Sequence, residues 1–168
     1  MSVPMRKLRE ITFQMLYSYD IAKAPDEEML QLLTSELKVT KKTVKEIQEK
    51  VHLIWSRLPD IDALIAKISK SYEFERIQSV ERNILRLSTF ELLYDPSVPP
   101  KVSIAEAKRL AQKFTTKEAA AFINAILDEV HRSSIGEKAD HDKIREVSCD
   151  LLKIEEISIL ASTDPANN

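Results

Sequence analysis

Residues 79–127 read SVERNILRLSTFELLYDPSVPPKVSIAEAKRLAQKFTTKEAAAFINAIL, and this stretch decides the fold class. Between residues 80 and 94 apolar side chains (Ile84, Leu85, Leu87, Phe90, Leu92, Leu93) fall on several sides of a helical wheel, which predicts a central helix packed by neighbours on more than one face. Asp95-Pro96-Ser97-Val98-Pro99-Pro100 then breaks it. Ser103-Ile104-Ala105-Glu106 has the spacing of a capping box and predicts a helix start at about Ile104. Thr115-Thr116-Lys117-Glu118 repeats the arrangement and predicts the next start at about Thr116.

Upstream, Leu8, Ile11, Thr12, Met15, Leu16 and Tyr19 keep the three- and four-residue steps of an amphipathic helix. A second helix is expected from near Pro25, carrying Leu30, Leu33 and Leu37. A third carries Val44, Ile47, Val51, Ile54 and Leu58 and must end or kink at Pro59, because the residue before a proline is pushed out of the α region. Ile61, Leu64, Ile65 and Ile68 mark a fourth. Downstream of Arg132, residues 133–140 form a polar linker, and Ile144, Val147, Leu151 and Ile154 predict one more short helix with a frayed end.

Composition agrees with an all-α chain. Gly136 is the only glycine in 168 residues, too few left-handed positions for the tight hairpins of antiparallel sheets. The length suits one domain able to bury a core without staples. The single cysteine, Cys149, allows no internal disulfide and no metal-ligand pair, which points to a reducing, cytoplasmic setting. No run approaches the roughly 20 apolar residues of a membrane span, and none has signal-peptide character.

Charge divides the chain in two. Residues 133–168 carry four Lys or Arg against eight Asp or Glu, a net of −4, which leaves +2 for residues 1–132. On the first helix Arg6, Arg9, Phe13 and Tyr17 cluster opposite the apolar stripe, with Lys7 and Gln14 nearby. Basic groups there could neutralise phosphates while aromatic rings stack on unpaired bases, worth about 1 to 3 kcal/mol per base. The plainer alternative buries Phe13 and Tyr17 beneath another helix. Catalysis and metal binding find no support: His52, His131 and His141 stand apart, no nucleophile elbow or ligand spacing occurs, and one glycine cannot build a phosphate loop. No cofactor is expected.

The stretch 79–127, together with Arg9-Glu10-Ile11-Thr12-Phe13-Gln14-Met15-Leu16-Tyr17, resembles the NusB family of transcription antitermination factors across roughly residues 5 to 131. The resemblance implies about seven helices in two packed sub-bundles over residues 1–132, with 133–168 as an acidic, helical or disordered extension. It implies a non-enzymatic protein that captures boxA-type single-stranded RNA with a small-subunit ribosomal protein, NusE, and joins an antitermination complex on RNA polymerase during ribosomal RNA transcription. On the family's pattern the RNA would meet Arg6, Lys7, Arg9, Gln14 and Tyr17 on one side, and Phe122 and Asn124 on the other. For Phe122 a core position beside Ile126 is the competing reading.

Glu81 and Arg82, in Val80-Glu81-Arg82-Asn83-Ile84-Leu85-Arg86, and Glu118 would face the ribosomal partner, where acidic groups suit a basic protein. Capping and helix-dipole roles account for the two glutamates equally well. Ala119, Ala120 and Ala121 stand where the family often has polar or basic residues, and Ala125 where it usually has glycine. These departures keep open a protein-binding scaffold that has lost RNA binding. A fused RNA methyltransferase, another setting for such domains, lacks its cofactor motif here. Self-association as a homodimer, known in the family, would cover the RNA surface. The charge of the acidic tail suggests that its helix folds over the basic first helix and competes with RNA, although the commoner outcome for such tails is a loosely ordered extension without a role.

Overall fold

The computed structural model describes residues 3–23, 27–35, 37–138 and 140–162, and among them all regular structure is helical. The helices are α1 (Met5–Ala22), α2 (Glu27–Ser35), α3 (Lys41–Ser56), α4 (Leu58–Ile68), α5 (Ser79–Tyr94), α6 (Pro100–Phe114), α7 (Lys117–Ser134) and α8 (His141–Ser162), with a 3-10 turn at Phe74–Arg76 before α5. Helix α1 packs with α2 and α3, while α4 and α6 pack on both α5 and α7, and α8 packs on α7. Helix α5 touches both groups, through α1 and α3 on one side and α4, α6 and α7 on the other. Its residues Asn83 to Glu91 are all buried, as the apolar scatter around its wheel requires.

Several boundaries differ from the sequence reading. Helix α3 ends before Arg57, so Leu58 opens α4 rather than closing α3, and Pro59 sits in the first turn of α4. Proline is harmless there because a first-turn N–H has no intrahelical partner. Helix α6 begins at Pro100, not near Ile104: Pro99 is the extended N-cap and Pro100, with φ already set, starts the helix. Ser103 therefore lies inside α6, its amide bonded to the Pro99 carbonyl at 3.1 Å and its hydroxyl donating to the Ser88 carbonyl at 3.4 Å. At α7 the cap is Thr116, whose Oγ1 accepts from the Ala119 amide at 3.2 Å. That shifts the cap one residue from the Thr115 reading and leaves Glu118 at N2, short of the capping-box position. The expected start of α2 at Pro25 lies outside the described residues.

Helix α7 continues to Ser134 and closes with Gly136 at φ 78°, the left-handed position that favours glycine. Helix α8 is longer than expected, 22 residues. It buries Ile144 and Ser148 and packs on α7. Its start is tied down by the Asp140 amide, which donates to Glu129 Oε2 at 3.1 Å.

Candidate nucleic-acid interface

The basic side of α1 is not a free surface. Residues Arg9, Glu10, Ile11, Thr12 and Phe13 are consecutive and all buried, because α5 and α6 close over the side opposite the apolar stripe. Arg9 makes a bidentate pair with Glu91 of α5, Nε donating to Oε1 at 3.0 Å and Nη2 to Oε2 at 2.7 Å. Its side chain is 6% exposed and that of Glu91 0%. Glu106 of α6 lies 3.6 Å from Arg9 Nη1 and accepts from Arg6 Nε at 3.2 Å. Glu10 accepts from Lys113 Nζ at 2.7 Å and lies 3.6 Å from Lys7 Nζ. Burial by itself would raise the Glu10 carboxyl, but these cations outweigh it and hold it below the ordinary range.

This ion layer sorts the α1 residues. Arg6 is 73% exposed and Lys7 42% at the side chain, Tyr17 is exposed and Gln14 half-buried, so these four can meet a ligand. Arg9 cannot, since its fork is spent on Glu91, and Phe13 packs against the Phe114 ring with centroids 5.3 Å apart. Phe122 is 1% exposed and meets the Tyr72 ring at a tilt of 56° with centroids 5.4 Å apart, a core position. Asn124, half-buried, opens instead onto a groove between α6, α7 and α8 with Lys108 and Lys117. Phe114 is a large apolar ring exposed beside Lys113, whose Nζ lies 5.3 Å from the ring centre. Lys108, Lys117 and Phe114 were missed in the sequence because α6 and α7 must pack before their outer faces are known.

A second network ties the far end of α1 to α5. Asp20 Oδ2 accepts from Ser79 Oγ at 2.6 Å, Arg82 Nη2 at 2.8 Å and Asn83 Nδ2 at 3.1 Å. Arg86 reaches Asp20 Oδ1 at 3.2 Å and forks onto Asp62 of α4 at 2.8 and 2.7 Å. Burial alone would raise the Asp20 carboxyl, yet the three donors and the Arg86 charge overcome it and hold it well below the usual carboxylate range. Arg82, expected at a partner interface, is thus a brace between α1 and α5, with 21% of its side chain exposed.

Glu81 stands on the next side of α5. Burial pushes its carboxyl up, and its Oε2 is enclosed without a hydrogen-bond partner among the described residues. It lines a cavity of about 90 Å³ with Tyr72, Thr116, Phe122 and three α8 residues, Leu151, Ile154 and Glu155. Glu155 accepts from the Tyr72 hydroxyl and, at 2.6 Å, from Arg76 Nη2. The tail is therefore fastened beside the start of α5 and along α7, not over α1 as its charge suggested. Apolar burial of Ile144 and the Glu155 pairings outweigh a diffuse attraction to α1, whose cations already have carboxylate partners. Glu118 is half-buried in the first turn of α7. No group of three or more His, Cys, Asp or Glu among the described residues could hold a metal ion, and no described helix is long and apolar enough to cross a membrane.

Residues 6–132 match the NusB family. The chain belongs to the NusB family. A transcription antitermination protein NusB of Chlamydia pneumoniae is 37% identical over 131 residues, covering 78% of this chain and 82% of the relative. Among solved structures, T. maritima NusB superposes with a TM-score of 0.69 at 30% identity, covering 85% of this chain and 98% of that one. A structure of the antitermination factors NusB and NusE in complex with dsRNA has a TM-score of 0.65 at 24% identity, covering 76% and 96%, a likeness of fold. The NusB match stops at residue 132, so α8 lies outside the part that defines the family.

Proposed function

We propose that this chain is a transcription antitermination factor that holds boxA-like single-stranded RNA together with the small-subunit ribosomal protein NusE during ribosomal RNA transcription. The observation that carries the reading is the NusB match over residues 6–132, with relatives of that name covered over most of their length. The role is one of binding rather than catalysis, exercised in the cytoplasm within an antitermination complex on RNA polymerase.

RNA would enter over the start of α1. Arg6 and Lys7 supply charge, Gln14 supplies amide hydrogen bonds, and Tyr17 and Phe114 present ring faces to unstacked bases, as single-strand recognition requires. Asn124 reads from the other side of α6. Arg9 acts from below by holding Glu91 and neighbouring Glu106, which in turn fixes Arg6. The ribosomal partner would approach Glu81 and Glu118, whose acidic groups suit a basic protein. A cation reaching Glu81 Oε2 would give that enclosed oxygen the partner it lacks.

A second reading, a scaffold that binds the ribosomal protein without RNA, is favoured by one observation: Arg6 and Lys7 already have carboxylates at 3.2 and 3.6 Å. Fluorescence anisotropy of a labelled boxA-type RNA against a scrambled control, with and without the NusE-type protein, separates the two. Preferential binding that tightens with the partner supports antitermination. Partner binding without RNA binding supports the scaffold.

A further inference from the structure

The groove on which Asn124 opens has a volume of about 550 Å³, and its third side is built by α8. Lys108 of α6, Lys117 of α7 and Lys143 of α8 line it, and no carboxylate does. None of the three ammonium groups has an ion pair among the described residues. Three unneutralised cations around one cleft repel each other, so an anion entering it is favoured by both attraction and relief. Ala120 and Ala121 leave the cleft floor open, where longer side chains would fill it.

Lys143 is held in place from both directions. Ile144, next to it, is 3% exposed in the core, and the Asp140 amide is fixed on Glu129 at 3.1 Å. Helix α6 separates the groove from α1: Lys108 and Gln112 face the groove, while Arg109 and Lys113 reach the Arg6 carbonyl and Glu10 at 3.3 and 2.7 Å. Cations therefore stand on both sides of α6, paired with Glu10 and Glu106 on the α1 side and without an ion pair among the described residues on the groove side. Three lysines spaced around one cleft with no carboxylate suit the phosphates of an extended single strand, because each ammonium can address one phosphate as a point charge.

We propose that α8, although it belongs to an acidic tail, completes the RNA site: Lys143 with Lys108 and Lys117 takes backbone phosphates of the strand as it leaves Asn124. The proposal rests on the RNA-binding reading above and reverses the expected sign of the tail, from competitor to contributor.

The test is anisotropy titration of a labelled single-stranded boxA-type RNA with the full chain and the NusE-type protein, across a salt series. Variants are Lys143→Glu, Lys153→Glu as a control with the same charge change on an exposed α8 position outside the groove, and Arg6→Ala. Lys143→Glu should weaken binding roughly threefold to tenfold and flatten the salt slope by about 0.7, one phosphate contact on a single strand, while Lys153→Glu stays within twofold of wild type. Equal losses in the two α8 variants would reduce the effect to general charge and overturn the proposal. So would a Lys143→Glu protein that binds like wild type while Arg6→Ala is weakened, and in that case the RNA-binding reading survives. A wild-type protein that binds no RNA with its partner bound removes both.

Discussion

Removing the Arg9 guanidinium strands the Glu91 carboxylate where its side chain has no exposure, and an uncompensated buried charge is among the costliest single lesions. Arg9→Ala should destabilise the chain by about 3 to 5 kcal/mol, read as a lower urea midpoint at unchanged slope. Arg6→Ala, whose side chain is mostly in water, should leave the unfolding free energy within about 0.5 kcal/mol of wild type and act on RNA affinity alone. A weakly destabilised Arg9→Ala protein would mean that the fork to Glu91 is not the anchor described. Glu81 offers a pH test. Its folded pKa is raised by burial, so the penalty is absent below the ordinary carboxylate pKa of about 4.3 and grows as pH rises through the folded value. Relative to wild type, Glu81→Gln should therefore gain stability between pH 4 and pH 7, as thermal melts across that range would record. A constant difference would contradict the desolvated carboxylate. Arg9 also shows why the site was only half legible. On the wheel it belongs to a basic face, and nothing within 80 residues announces Glu91 or Glu106 as its partners, whereas Arg6, three residues earlier, projects past the end of the layer.

Helices with strong periodicity were readable because core burial on α3 (Ile47, Val51, Ile54) and α4 (Ile61, Ile65) repeats every three or four residues, a signal that needs no knowledge of tertiary contacts. Helix starts were less so, since two legitimate signals compete within a few residues. At α6 the sequence holds both Pro99-Pro100 and Ser103 with Glu106. The prolines win because the helix that begins with them brings Glu106 beneath Arg9 and Ser103 onto the Ser88 carbonyl, contacts made with distant elements. At α7 Thr115 and Thr116 both precede a plausible first turn. Thr115 Oγ1 instead donates to the Ala111 carbonyl at 2.6 Å, closing α6, which leaves the cap to Thr116. Thr116→Ala should cost about 1 kcal/mol, while Glu118→Ala, without the capping-box return bond, should cost less than half of that in the same chemical-denaturation series. Equal costs would restore the Thr115 register.

For the whole molecule the decisive question is how α8 is joined to the family body. Two kinds of attachment hold it. The first half is seated by Ile144, Ser148 and the Asp140 amide on Glu129, while the second half is fastened by Glu155 to the Tyr72 hydroxyl and to Arg76 at 2.6 Å, with Ile157 and Leu160 beyond it 66% and 70% exposed. The apolar seat is cooperative with the core, whereas the Glu155 pairings stand near the surface and can be lost alone. Local opening energies follow burial and hydrogen bonding rather than helix length. Glu155→Gln should thus speed amide exchange over the end of α8, about residues 152–162, in hydrogen-exchange mass spectrometry, and leave residues 141–149 as protected as in wild type. It should also leave RNA binding unchanged, because Lys143 lies in the protected half. Exchange that accelerates along the entire helix would show α8 to be a single unit held by Glu155, and would make its contribution to the groove conditional on that one carboxylate.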